Sequence, residues 1–573
     1  MSGMGNLALD GGDPRLSMGD GQVRVPAAVR HKLHDPTVKF EEYLYYAKIQ
    51  REQEARGLDP AEREKIARGA SEPEQISEPD EKKSNEHAPK NLGAAVDPVI
   101  AVSEWETASR AARNASWASI VYLITTDILG PTSAPYAVST FGYGGGVLMY
   151  FFLGMMAFFA GWQIWRMFLK LDSDRYPMRT FGDLGFRIFG TSTRHAMNLL
   201  QSLQLVCNVG VIILGNGQGL SQMAKFKLCF AICNLVWTLA GMILGQIRTL
   251  QKFGYLANFA IWLNVLVIFM TMGEAAHSKP NYAAAVANSG AADWGTAPIV
   301  HNAFAPLTGG FNDQIAAAMN IVYAYGGAML YCEFMAEMKR PLDFIKAQFV
   351  AEIFIFLCYL IFGLVVYSQQ GQYVSNPANQ GLSNYAWQTS TNALSLSSGL
   401  IAAVLYGNIG IKVIYQNIVE DLFHGPSLNS KRGKILWVGM VPIYWAIAFI
   451  IPSAIPEFSY LTSLVAAICI MQFTYTFPAI LYVGMHIQED AIHPDETFDP
   501  ATGVVNRIDT WRDLSRWKRG LKNQWWLKLF CFLFFLASAA TAVMGLYGSC
   551  SGLKDAYSSG ATTSFSCHSP VEG

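Results

Sequence analysis

Apolar residues in this chain come in long blocks. From about residue 114 onward, runs of roughly 20 mostly apolar residues, the length that crosses a bilayer's hydrocarbon core, follow one another with polar loops between them. Eleven such runs are predicted, over about 116–141, 144–169, 195–222, 228–247, 253–273, 313–338, 343–368, 393–421, 434–454, 458–486 and 526–548. Only helices and closed barrels satisfy every backbone group inside a bilayer, and runs of this length read as helices. The pattern therefore predicts an all-α membrane protein with 11 transmembrane helices.

Two of the runs are interrupted. The first carries Asp127, Gly130, Pro131 and Pro135 near its middle, and an internal proline removes a backbone donor and clashes with the preceding turn. Thr132 or Ser133 as cap and Pro135 in the first turn suit the start of a second half-helix. The sixth run carries Gly326-Gly327 at its centre and Glu333 beyond it. An interrupted helix survives at membrane depth only where it is packed in protein or lines a wet cavity. Helices 1 and 6 are thus expected to be discontinuous. They start five runs apart and so cross in opposite directions, as in a 5+5 inverted repeat with one further C-terminal helix. Free N–H groups at one half-helix end attract a carboxylate and free carbonyls at another attract an ammonium, so the junction suits a zwitterionic α-amino acid. The candidate binding residues are Thr126, Gly130, Pro131, Thr132 and Ser133 from run 1 and Tyr323, Ala324, Tyr325, Gly326 and Gly327 from run 6. A proline kink in a structural helix is the plainer alternative for run 1.

Composition agrees: 51% of the 573 residues are hydrophobic and 15% charged, with a net charge of −1 that gives no reason to expect a nucleic-acid partner. Charge changes the picture through its distribution. Arg110 and Arg113, the 170–187 loop, Arg248 and Lys252, Lys339 to Lys346, Lys431 to Lys434 and the 507–528 segment put the basic residues on one side, which the positive-inside rule assigns to the cytosol. The N-terminus is then cytosolic and the C-terminus extracytosolic. No basic segment followed by an apolar core opens the chain, so a cleaved signal peptide is not expected. Residues 1–113 are expected to be a mostly disordered tail with one short helix near 37–56, either solvated or docked on the inner face of the bundle. Residues 114–548 form the transporter domain, and 549–573 an extracytosolic tail. Cys550 and Cys567 in that tail are candidates for a disulfide. Tail lysines such as Lys48, Lys65, Lys82, Lys83 and Lys90 are candidate sites of ubiquitin-type regulation.

At this point the motifs carry a resemblance. YAYGG followed by CEFMAEMKRP in run 6, GPTSAPYA at Gly130 to Ala137 and YPMRTFGDLG at Tyr176 to Gly185 resemble the amino acid and auxin permease family, over about Asn114 to Gly548. The segment FEEYLYYA at Phe40 to Ala47 resembles the neutral amino-acid permeases of filamentous fungi. The resemblance implies a LeuT-like fold of the amino acid, polyamine and organocation type. It also implies uptake of neutral aliphatic and aromatic amino acids driven by protons, with no cofactor. Many relatives place a His after the Gly-Gly pair; here that position is Ala328, so a coupling role for that His does not carry over.

Ionisable groups at membrane depth are the remaining candidates for coupling or gating. Asp127 lies at the break of run 1, where it could take up a proton or cap the unwound segment. Glu333 lies six residues before Lys339, roughly 9 Å along a helix, toward the cytosolic mouth. Lys412 in run 8 could replace a bound sodium ion electrostatically or snorkel to the inner surface. Gln204, Asn208 and Asn408 are further cavity candidates. The sequence has no paired metal motif, nucleophile elbow or phosphate-binding loop, so an enzyme is not expected. Sodium coupling, residence in the vacuolar membrane instead of the plasma membrane, and a sensor built on a transporter fold remain open.

Overall fold

The computed structural model describes residues 36–57, 115–247, 253–289, 297–306, 310–423, 430–500, 504–558 and 563–572, together with positions 34, 113, 425, 426 and 428. The expected disorder of the N-terminal tail, and Lys65, Lys82, Lys83 and Lys90 in it, fall outside these residues. Among the described residues, nine helices are long and apolar enough to cross a membrane, and two shorter apolar helices accompany them. The chain is an integral membrane protein.

The helices used below are α1 (Phe40–Ala55), α2 (Trp117–Ile128), α3 (Ala134–Leu171), α4 (Phe181–Phe189), α5 (Thr191–Met223), α6 (Phe230–Leu244) and α7 (Phe253–His277). There follow α8 (Tyr282–Ser289), α9 (Phe311–Ala324), α10 (Tyr331–Glu337), α11 (Phe344–Gln370), α12 (Tyr385–Ile414), α13 (Lys431–Ala454), α14 (Phe458–Val465) and α15 (Phe477–Ala491). Strands β1 (Thr497–Asp499) and β2 (Val504–Asn506) pair as an antiparallel hairpin, after which come α16 (Leu514–Lys522) and α17 (Trp525–Ser558). Helix α3 packs along α11, and α5 along α12. Exposed large apolar side chains such as Trp262, Phe269, Ile435, Ile443 and Val543 coat the outer faces of the long helices, as expected where lipid is the solvent.

Element boundaries differ from the expected runs where local chemistry overrides the apolar pattern. Runs 1 and 2 are joined at a single residue, Gly142, whose φ of 73° lies in the left-handed region. A Cβ there would sit 2.6 Å from the Asn302 carbonyl oxygen, so both conformation and space require glycine. Helix α17 continues to Ser558, ten residues past the expected end at 548. Polar contacts carry it onward: Ser549 to Ser463 (2.5 Å), Asn312 to Ser551 (3.1 Å) and Tyr557 to the Ala454 carbonyl. The expected Cys550–Cys567 disulfide does not form. Residues 563–572 fold back over α13, with the Phe565 N–H donating to the Ser453 carbonyl (2.8 Å), and this return brings Cys567 to Cys229, its disulfide partner. Cys550 is a free, exposed thiol on α17.

Helix α1 is docked and not solvated, because its acidic residues find buried basic partners. Glu41 accepts two hydrogen bonds from Arg507 (2.9 and 2.7 Å) and one from Arg516 (3.3 Å). Arg516 also binds Glu496 (2.7 Å) and Asp509 (3.0 Å). Arg51 donates to Asp172 (2.9 Å), which is also bound by Arg113 (3.0 Å). His34 meets Asp183 at 2.8 Å. This ionic belt ties α1, the 172–180 loop, α4, the hairpin and α16 together at what we call the basic end.

Candidate functional site

Helix α2 ends at Ile128, and a 3-10 turn over Pro131–Ser133 leads into α3. Helix α9 ends at Ala324, and after Tyr325, Gly326 and Gly327 a 3-10 turn over Ala328–Leu330 leads into α10. The chain is therefore non-α-helical at both places where glycine and proline interrupt the apolar pattern. The two breaks touch. A Cβ on Gly327 would lie 2.5 Å from Cγ1 of Ile128 and 2.9 Å from Oδ2 of Asp127, and one on Gly326 would lie 3.0 Å from Ile470. Gly327 is the condition for this approach, and Gly326 lets the same turn pack against Ile470.

Freed backbone groups at the junction need partners. Tyr359 of α11 supplies them for both breaks at once. Its hydroxyl accepts from the Gly130 N–H (3.1 Å) and lies within donor range of the Ile128 carbonyl (2.6 Å) and the Ala324 carbonyl (3.1 Å). Asn264 of α7 donates to the Leu129 carbonyl (3.1 Å). The Tyr406 hydroxyl of α12 lies 2.8 Å from Oδ1 of Asp127 and 3.1 Å from its carbonyl oxygen. Three neighbouring helices thus hold the break of α2 open.

Beside the junction lies a cavity of about 70 Å3, whose lining includes Leu123, Thr126, Asp127, Asn264, Phe334 and Tyr406. A water needs about 10–15 Å3 on this measure, so the space suits roughly five waters or a compact side chain. Its wall is mostly apolar, with Thr126, Asp127, Asn264, Ser398 and Tyr406 as its polar members, the division of labour expected of a small-molecule site.

The expected site residues divide into groups. Thr126 and Asp127 line the cavity, although the Thr126 hydroxyl already donates to the Tyr122 carbonyl (2.7 Å). Gly130 is exposed, and a Cβ there would meet open space. Thr132 and Ser133 are half-buried in the 3-10 turn that starts at Pro131. Tyr323, expected against a substrate side chain, is half-buried at the end of α9, with Ala324 buried beside it. Tyr325 is buried and its hydroxyl donates to the Tyr150 carbonyl (3.1 Å). Glu333 is buried on α10 and accepts from Gln201 (3.1 Å). Lys412 is 2% exposed, enclosed by protein on α12. Gln204 is fully buried, and neither of its polar side-chain atoms has a hydrogen-bond partner among the described residues. Asn408 donates to the Ile247 carbonyl (2.8 Å) and is structural.

Tyr359, Tyr406 and Asn264 were not anticipated. A lone tyrosine or asparagine in an apolar run gives no periodic signal, and its role depends on backbone groups far away in the chain. Glu352 was a missed signal of another kind. It is a carboxylate inside run 7, buried on α11, and accepts from Gln348 (2.7 Å) and Tyr331 (3.3 Å). At the basic end, the start of α2 is clasped to the end of α10 by a parallel backbone bridge. Ala115 N–H donates to the Glu337 carbonyl (2.9 Å) and Lys339 N–H to the Ala115 carbonyl (3.0 Å).

Comparison with known proteins adds an independent finding. A family model described as "Transmembrane amino acid transporter protein" matches residues 113–491. A protein of Gibberella moniliformis named "Transmembrane transporter" is 25% identical over 376 residues, covering 65% of this chain and 76% of its own length. The "N amino acid transport system protein" of Neurospora crassa is 25% identical over 379 residues, covering 64% of this chain and 74% of its own. "Lysine histidine transporter-like 4" of Arabidopsis thaliana is 22% identical over 409 residues, covering 65% and 81%.

Proposed function

From the premise that this chain belongs to the amino acid and auxin permease family of transmembrane amino acid transporters, we propose that it is a proton-coupled symporter of neutral aliphatic and aromatic amino acids. The observation that carries this reading is the contact between the two breaks, with Asp127 beside them in a mostly apolar cavity. The backbone groups at the junction that Tyr359, Asn264 and Tyr406 do not hold engage the carboxylate and ammonium of the substrate, and the apolar wall accepts a side chain without charge. Asp127 takes up and releases the coupling proton, and Tyr406 orients it. Glu333 gates the path toward the basic end, and Lys412 fills the electrostatic place of a bound cation.

The eleven-span, 5+5 arrangement belongs to this proposal. It is supported by the neighbours α3 with α11 and α5 with α12, since each pair would be related by the repeat. In this orientation the basic end faces the cytosol, the disulfide between Cys229 and Cys567 faces outside, and the protein resides in the plasma membrane.

The test is uptake of labelled leucine and tryptophan into vesicles containing the full chain, across pH and sodium concentration. Accumulation should follow an inward proton gradient and ignore sodium. Saturable binding without accumulation would instead identify a receptor. Asp127→Asn should flatten the pH dependence of uptake, and an unchanged profile removes Asp127 from the proton path.

A further inference from the structure

Helix α16 presents two unlike faces. Arg516 and Gly520, one turn apart, face the protein: Arg516 enters the ionic belt, and a Cβ on Gly520 would lie 2.6 Å from the Ile487 carbonyl oxygen. The opposite face is exposed. At about 100° per residue it divides lengthwise into an apolar strip of Leu514, Trp517 and Leu521 and a basic strip of Lys518 and Lys522, and Arg512 lies exposed just before the helix. Arg519, between the two faces, is bound to Asp509 (2.8 Å) and is not part of the basic strip.

The position of this face narrows what can cover it. Two residues after α16 ends, the apolar helix α17 begins with Trp525 and Trp526, stacked at 3.9 Å and both exposed. Tryptophans at the mouth of a spanning helix mark the headgroup level of a bilayer. The exposed face of α16 is therefore held at that level, with bulky apolar side chains beside cations. Such a helix lies in the interface plane, apolar strip toward the acyl chains and basic strip among the headgroups. Juxtamembrane cations recognise anionic lipid and leave zwitterionic lipid nearly unbound.

We propose that the exposed face of α16 is a docking surface for anionic phospholipid in the leaflet at the basic end, with Arg512, Lys518 and Lys522 engaging headgroup phosphates and carboxylates and Leu514, Trp517 and Leu521 seated on the acyl carbons. Because Arg516 on the reverse face holds Glu41, bound lipid also steadies the docking of α1.

The experiment uses the full chain in vesicles of phosphatidylcholine containing spin-labelled phosphatidylserine or spin-labelled phosphatidylcholine. The fraction of each label immobilised by protein is compared for the wild type and an Arg512→Gln, Lys518→Gln, Lys522→Gln variant. The wild type should prefer phosphatidylserine by about fivefold, the variant should lose most of that preference, and ~1 M salt should abolish it by shortening the Debye length to ~3 Å. Equal preference in both proteins, or none in the wild type, overturns the proposal. A variant that changes the oligomeric state in the vesicle while keeping its lipid preference assigns the face to a second copy of the chain and overturns it as well. If the triple variant misfolds, the loss of fluorescence quenching by brominated phosphatidylserine in Trp517→Phe reads the same contact, and unchanged quenching rejects it.

Discussion

Carboxylates are held in opposite ways at the two levels of this molecule. At the basic end Asp172 sits between Arg113 and Arg51, and Glu41 between Arg507 and Arg516. At the level of the breaks, Asp127 is paired with the Tyr406 hydroxyl, and Glu333 and Glu352 with the amides of Gln201 and Gln348. Guanidinium partners fix a carboxylate in its ionised form. Burial pushes the carboxyl of Asp172 up, yet the charges of Arg113 and Arg51 and the Met178 N–H hold it below its ordinary value. For Asp183 burial likewise acts upward and is overcome by the hydrogen bond and charge of His34, then by Arg194 and Arg187. Neutral hydroxyl and amide partners leave the charge state free to change. The basic end is built to keep its charges, and in the proposed proton coupling the junction is where one comes and goes.

The contrast is broken most decisively at the junction. Gly327→Leu places side-chain atoms where Ile128 and Asp127 now lie; uptake should vanish while the folded protein still reaches the membrane, measured as flux per molecule at the surface. Normal flux would mean that the breaks need not touch. Arg516→Gln tests the other level. It removes one partner from a buried cluster, at a cost of roughly 3–5 kcal/mol. The thermal midpoint and the hydrogen-exchange protection of α1 should fall while uptake per folded molecule is kept.

Tyr359→Phe should have an intermediate effect. The ring remains, but the Gly130 N–H and the Ile128 and Ala324 carbonyls lose their shared partner. At about 1–3 kcal/mol for an unsatisfied buried group, uptake should drop roughly tenfold or more with surface abundance unchanged. The smallest effect is a matter of pH. Asp172 has a folded value below its unfolded one, so its contribution is complete above the unfolded carboxylate value near ~3.9 and is lost as pH falls through the folded value. The share of α1 protection that Asp172 supplies should therefore stay level from neutral to about pH 4. Asp172→Asn should lower protection by a constant few-fold across that range, and a slope in the difference between the two proteins from pH 7 to 5 would contradict this account of Asp172.

Legibility in the sequence follows the range of the forces involved. Span-length apolar runs and the Gly-Pro and Gly-Gly interruptions are local signals; the runs gave the helical, membrane-spanning character of the chain, and α2 and α9 end beside the interruptions. Partners that depend on tertiary approach were invisible. Tyr359 looks like one more aromatic in IFLCYLIFG, and its hydroxyl acquires meaning only from the carbonyls of Ile128 and Ala324. Cys567 lies 338 residues from Cys229, whereas Cys550 was merely nearer in the chain. The charges of α1 left a solvated and a docked helix both open because Arg507 and Arg516, which bury Glu41, come more than 450 residues later.

If the basic end opens as the proposed transport cycle requires, the bridge between Ala115 and Met338 sets how stiff that opening is. Two backbone hydrogen bonds join Ala115, two residues before α2, to the chain leaving α10, so these short helices swing as one leaf or must first unlatch. At about 0.5–1.5 kcal/mol net for each bond, the latch biases closure by only about 1–3 kcal/mol. In the proposed transport cycle, a bias of that size keeps the leaf shut most of the time and still lets it open within a turnover, tipped by the binding of substrate and proton.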